Sequence, residues 1–147
     1  MFNKKNKTKG FTLIELLVVV AIIGMLATIV LVSLNTARAK ARDTRRLADL
    51  RQVSLALEMH YDDGNSYPGT SGSCSVIPEV LATSYLGAIP EDPGATTDYA
   101  YGVKSDGQSY VLKAILENSN NPALNSDVDG SNVFGCDCDD LAYCIRM

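Results

Sequence analysis

Lys9-Gly10-Phe11-Thr12-Leu13-Ile14-Glu15-Leu16-Leu17 is the stretch that decides how this chain is read. Four lysines (Lys4, Lys5, Lys7, Lys9) precede a glycine, and an apolar run follows at once, broken near its start by one carboxylate, Glu15. Positions 16–37 form a run of 22 residues without a charge. At about 1.5 Å per helical residue that run is roughly 33 Å long, enough to cross a ~30 Å hydrocarbon core. A carboxylate at the lip of such a run needs a partner, so Glu15 calls for a specific role.

This arrangement resembles the N-terminus of prepilins, the precursors of type IV pilins and type II secretion pseudopilins. The resemblance rests on the basic residues before Gly10, on Gly10-Phe11-Thr12-Leu13-Ile14-Glu15-Leu16, and on the apolar run that follows directly. It implies leader cleavage after Gly10 by a membrane peptidase and N-methylation of the new terminus at Phe11. Glu15 then matches the family's acidic residue five places into the mature chain. An ordinary signal anchor accounts for the lysines and the length, but not for Glu15 or the Gly-Phe junction. A secretory signal peptide would be cut after its apolar region at an Ala-x-Ala-like site, which Ala21 and Ala27 do not form.

The resemblance implies an α+β pilin fold, one long N-terminal helix packed on a small antiparallel β-sheet, with a disulfide-stapled C-terminus. The expected divisions are a leader over residues 1–10, a transmembrane and assembly half of the helix over 11–35, an amphipathic half over 36–62, and a globular extracytoplasmic part over 63–147.

With a membrane helix subtracted, 147 residues leave one small domain. The formal charge is −4, and removal of residues 1–10 with their four lysines leaves 9 basic and 17 acidic side chains, formally −8. That balance argues against a general nucleic-acid or anionic-membrane binder, and nucleic acid is not an expected partner. The leader lysines orient the helix with its N-terminus cytoplasmic, which places the rest in a disulfide-permissive compartment. The cysteines, Cys74, Cys136, Cys138 and Cys144, are even in number.

Helix formers continue past the apolar run without Pro or Gly until after position 61, predicting one helix over 11–61, roughly 75 Å long at about 1.5 Å per residue. Its outer half has an apolar stripe of Leu47, Leu50, Val53 with Ser54, Leu57 and Tyr61, with Asp43, Arg46, Asp49 and Arg51 largely off it. Arg38, Lys40, Arg42, Arg45 and Arg46 read as a solvated basic face pairing with acids on neighbouring subunits. A DNA-contact reading of that patch lacks interleaved aromatics to stack on bases. Where many type IV pilins carry a helix-breaking proline this chain has Val32, which leaves Gly24 as the weak point of the apolar helix.

Beyond the helix, turn formers occupy 62–69 and a Gly/Ser-rich loop 69–75. A short helix is predicted over 78–86 and a proline-bounded turn over 89–94. Strands over 99–103 and 109–116 are joined by Ser105-Asp106-Gly107-Gln108, a hairpin signal. Tyr110, Leu112, Ala114 and Leu116 form the larger apolar side and should cover Leu50 and Leu57. Residues 118–132 read as a polar loop, and 133–136 with 142–145 as a last hairpin turning at Asp139-Asp140. Tyr67-Pro68 and Pro90-Glu91-Asp92-Pro93 resemble the major pseudopilin branch.

The cysteines admit a zinc site or disulfides. Their spacing lacks paired knuckles and the compartment disfavours free thiolates, so disulfides are expected. A Cys136–Cys138 bridge would be strained, so Cys144 pairs with one of them and Cys74 with the other. Asp127-Val128-Asp129-Gly130 matches the start of an EF-hand loop without its terminal Glu. The resemblance to major pseudopilins implies a calcium site in this late loop from Asp127, Asp129 and Asp137. Solvated loop acids are the competing reading, and the Cys-Asp-Cys-Asp-Asp ending departs from the family pattern. His60, the only histidine, sits without a nucleophile, and no phosphate-binding loop occurs, so no enzyme is expected.

The expected function is a structural subunit of a type IV pilus-like or type II secretion pseudopilus filament. The rival is a minor pilin, or a DNA-uptake or adhesion subunit with a ligand-binding globular end. The implied partners are further copies of the chain, the prepilin peptidase and methyltransferase, the assembly platform and other pilins. Inner-membrane lipid surrounds the helix before assembly, with the N-terminus cytoplasmic and the filament extracytoplasmic. Glu15 is expected to pair with the Phe11 amine of a neighbouring subunit. At ~4 Å and an effective dielectric near 20 two such charges attract by about 4 kcal/mol, less the cost of desolvation.

Overall fold

The computed structural model describes residues 10–94, 97–139 and 141–147. The leader expectations for residues 1–9, and the turn at Asp140, lie outside the described residues. Helix α1 spans Leu13–Gly64, and the chain divides into two compact units, Met1–Ala37 and Arg38–Met147.

In the first unit α1 is apolar on every side, and its described side chains from Phe11 to Leu31 are exposed. Length and composition make this a helix able to cross a membrane. The hydroxyl of Thr28 donates to the carbonyl of Met25 at 2.8 Å, which satisfies it without water.

In the second unit the remainder of α1 lies on a four-stranded antiparallel sheet. Its strands β1 (Ser75–Val76), β2 (Ala100–Val103), β3 (Tyr110–Ile115) and β4 (Ala142–Arg146) stand side by side in chain order. The β2–β3 register sets Tyr101 opposite Leu112 and Val103 opposite Tyr110. The β3–β4 register sets Leu112 opposite Ile145 and Lys113 opposite Cys144. The two-residue period of β3 sorts its side chains as expected. Tyr110, Leu112 and Ala114 join Leu50, Val53 and Leu57 of α1 in one core. Val111, on the opposite face, packs with Cys136, Cys138 and Cys144.

Four details differ from the sequence reading. Segment 133–136 does not pair with β4, whose partner is β3. Val133 and Cys136 instead exchange backbone hydrogen bonds of 2.7 and 3.0 Å across a tight turn with positive φ at Phe134 (52°) and Gly135 (92°). A Cβ at Gly135 would stand 2.8 Å from the Gly72 and Ser73 backbone, so this turn closes against the loop that carries Cys74. The loop itself ends in β1, where the Gly/Ser-rich composition predicts irregular structure. The helix predicted over 78–86 narrows to one turn followed by a wide π-turn, Ala82–Leu86, closed by Gly87 at φ 76°. Finally, Asp43 and Arg46 are buried, 0% and 1% exposed, where a solvated helix face was expected.

Candidate functional site

The start of α1 is built by Thr12 and Glu15. The Thr12 backbone N–H donates to Glu15 Oε2 at 2.9 Å, and the Glu15 N–H donates to Thr12 Oγ1 at 3.2 Å. The Thr12 hydroxyl also donates to Glu15 Oε2 at 2.7 Å. This is a reciprocal capping box, in which two otherwise unpaired backbone donors at the helix start are satisfied by side chains. Its Thr-x-x-Glu spacing is present in the sequence and went unread there. Gly10 and Phe11 lie immediately before it, Phe11 being 74% exposed. Leu13, Leu16, Leu17, Val20 and Ala21 line a shallow apolar groove along the next turns. Phe11, Glu15 and an uncovered apolar surface thus stand together at one end of the helix.

The second unit holds a charged anchor. Arg46 grips Asp92 with two parallel hydrogen bonds, from Nε at 2.5 Å and from Nη2 at 2.8 Å. Its Nη1 donates to Asp43 at 2.8 Å and to Glu117 at 2.8 Å. Asp43 in turn accepts the backbone N–H groups of Glu117 at 2.9 Å and Asn118 at 3.0 Å, holding the chain just beyond β3. Arg42 closes the outer side with a two-pronged contact to Glu117. The Arg46 guanidinium holds the Asp92 carboxyl below its usual range. Hydrogen bonds from Arg42 and Arg46 pull Glu117 down to about 2. A buried guanidinium with all three of its nitrogens engaged is satisfied, which burial of a charge demands. Sequence reading missed this group, although 43, 46, 50, 53 and 57 alternate by three and four and so mark one helix face.

Tyrosines tie the rest of the helix to the sheet. Tyr99 donates to Asp49 at 2.7 Å, and Tyr67 donates to Glu58 at 3.0 Å. Burial first, then the Glu58 carboxylate, push the Tyr67 phenol up to about 12. His60 contacts the Ser66 carbonyl at 3.1 Å and the Tyr85 ring.

The cysteines form two disulfides, Cys74–Cys136 and Cys138–Cys144, which resolves the pairing left open by the sequence. Beside them Asp127 Oδ2 accepts the Cys144 N–H at 3.2 Å, whereas Oδ1 is buried without a partner. Burial raises the Asp127 carboxyl above its usual range. Asp129 and Asp137 are exposed, and Asp137 accepts the Asp139 N–H at 3.3 Å. Among the described residues no three His, Cys, Asp or Glu side chains gather to hold a metal ion.

One long helix bearing an uncovered apolar half, with its other half packed on a small antiparallel sheet and disulfides near the C-terminus, defines a pilin-type fold. The prokaryotic N-terminal methylation motif matches residues 5–31. The type II secretion system core protein G of Vibrio cholerae is 33% identical over 107 residues, 67% of this chain and 73% of the relative. Its counterpart in Pectobacterium carotovorum is 33% identical over 103 residues, 63% of this chain and 65% of the relative. The type IV wide pilus major component PilA4 of Thermus thermophilus is 46% identical over 72 residues, 49% of this chain and 53% of the relative. No solved structure matches the chain. The chain belongs to the type IV pilin and type II secretion pseudopilin family.

Proposed function

We propose that the protein is a structural subunit of an extracytoplasmic filament, of the type IV pilus or type II secretion pseudopilus kind. The observation that carries this reading is the apolar half of α1, exposed on all sides and headed by Gly10, Phe11 and Glu15. Such a surface requires lipid or other apolar helices around it. The names of the relatives, core proteins of a secretion system and a major pilus component, support the same reading.

Before assembly the helix spans the cytoplasmic membrane with the leader inside. Cleavage after Gly10 frees the Phe11 amine, which is then methylated. Within a filament, the amine of one subunit lies beside Glu15 of another and fixes the register of helices that would otherwise slide. The prepilin peptidase, the assembly platform and other pilins are the partners of these steps.

Immunogold electron microscopy of filaments sheared from cells tests the reading. Continuous labelling along filaments is expected of a major subunit. Label confined to sparse points would favour a minor pilin, and filaments unchanged after deletion of the gene would contradict a structural role.

A further inference from the structure

The exposed face of α1 within the second unit carries a pattern that its own subunit leaves unused. Ala41, Ala48, Leu55 and Met59 are exposed, and their spacing at seven and four residues places them on one stripe. Helical geometry sets Arg38 and Arg45 on one flank of that stripe and Lys40 and Arg51 on the other. All four cations are exposed, and Arg45 alone has an acid nearby, Asp49 at 3.7 Å. Among the described residues no other ion pair reaches them. The stripe is therefore apolar along its centre and, over residues 38–51, positive on both edges.

A cleft elsewhere on the same unit has the opposite character. It measures about 430 Å³, with Ile77, Ile89 and Pro90 among its apolar lining and Glu79, Glu91 and Asp98 as its acids. These three residues are exposed, and among the described residues no ion pair engages their carboxylates. No lysine or arginine lines the cleft. Its inner wall includes Asp92 and Tyr99, which are bound to Arg46 and Asp49 of α1. The exposed stripe points away from that core, so one chain cannot bring stripe and cleft together.

We infer that the Arg38–Arg51 face of α1 in one copy docks at the Glu79/Glu91/Asp98 cleft of the next copy. This rests on the filament reading above and specifies one contact within it. Apolar centre meets apolar lining, and the basic edges meet unpaired carboxylates, which gives both register and partner selection. The two surfaces differ, so the contact is head-to-tail, and repetition produces an open array rather than a closed dimer. The occupant is a second copy because the cations that suit the cleft are those of this chain's own helix.

The test uses the full chain in cells that make its filament. Arg45→Glu with Arg51→Glu sets like charges against the cleft, and filament yield is expected to fall at least about tenfold. Adding Glu79→Lys and Glu91→Lys to the same chain is expected to restore it. A second measurement does not depend on yield: a bismaleimide applied to filaments of the Arg51→Cys/Glu91→Cys chain should give a ladder of multimers, and either single variant no ladder. Filaments that tolerate the charge reversal, or that give no ladder, overturn the contact while leaving the filament reading intact. Cross-linking of Glu91→Cys to a different protein also overturns it. A wild-type chain that enters no filament overturns both.

Discussion

Arg46 and Asp92 stand 46 residues apart in the chain, yet they meet through two parallel hydrogen bonds with both side chains almost wholly out of water. This pair fixes the proline-bounded loop before β2 to the middle of α1. Asp43 does the same for the chain that leaves β3. Two crossings of the helix are thereby set by charge rather than by apolar contact.

Removing one partner should cost more than removing a typical surface ion pair. Arg46→Ala leaves the buried Asp43 and Asp92 carboxylates without their cation and is expected to destabilise the folded chain by about 3–5 kcal/mol. Arg45→Ala, on an exposed partner, should cost under about 1 kcal/mol. Denaturant melts of the full chain in detergent micelles measure both. Equal losses would show that the anchor is no stronger than a surface pair.

The same group sets an acid limit. Asp92 and Glu117 both have carboxyls held below their ordinary values, Glu117 at about 2 against 4.5. A carboxylate of that kind adds stability that is complete above its unfolded value and is lost as pH falls through the folded one. Melting temperature should therefore decline from about pH 4.5 towards pH 2. Glu117→Gln should flatten the decline, and an unchanged profile in that variant would contradict the assignment. Asp127 has the opposite sign, its carboxyl being raised by burial. Asp127→Asn, melted in the presence of a chelator, should gain stability near neutral pH and lose the gain in acid.

The two disulfides should differ in weight because they close loops of different length. Cys74–Cys136 spans 62 positions and Cys138–Cys144 spans 6. In the chain-entropy account the long loop contributes about 4 kcal/mol and the short one about 2. Paired Cys→Ser replacements compared by thermal melting test the order. A larger loss from the short loop would contradict it.

Glu15 has one role in the structure and a second in the proposed filament, and one conservative change separates them. In the single subunit it caps α1 through Thr12. In the proposed filament it faces a neighbour's amine. Glutamine supports a capping box without the charge, whereas alanine supports neither. Loss of filaments is expected from both Glu15→Gln and Glu15→Ala. Hydrogen exchange near residue 13 should rise only in Glu15→Ala, for which a lost cap of this kind costs about 1 kcal/mol. Normal filaments from Glu15→Gln would assign the residue to capping alone.

The helix, the β2–β3 hairpin and the core side of β3 were legible because each rests on a local period. The apolar run, the Asp-Gly turn and the alternation 110, 112, 114 need no distant partner to be read. The charged anchor was not legible as such, since Arg46 is an ordinary exposed-looking charge until Asp92 and Glu117 arrive from far along the chain. The last hairpin was misplaced for a related reason. Strand β4 matches 133–136 in composition, but Cys136 is drawn to Cys74, which leaves the edge of β3 for residues 142–146. The acids of the late loop were legible as a cluster in sequence, and of the described ones Asp127 alone is anchored to the sheet, through the Cys144 N–H.

Whether cleavage after Gly10 makes this chain a filament subunit is read from the mass spectrum of the subunit in sheared filaments. The expected species begins at N-methylated Phe11 and lacks residues 1–10. Filaments whose subunit retains residues 1–10, or filaments without this chain, would contradict it.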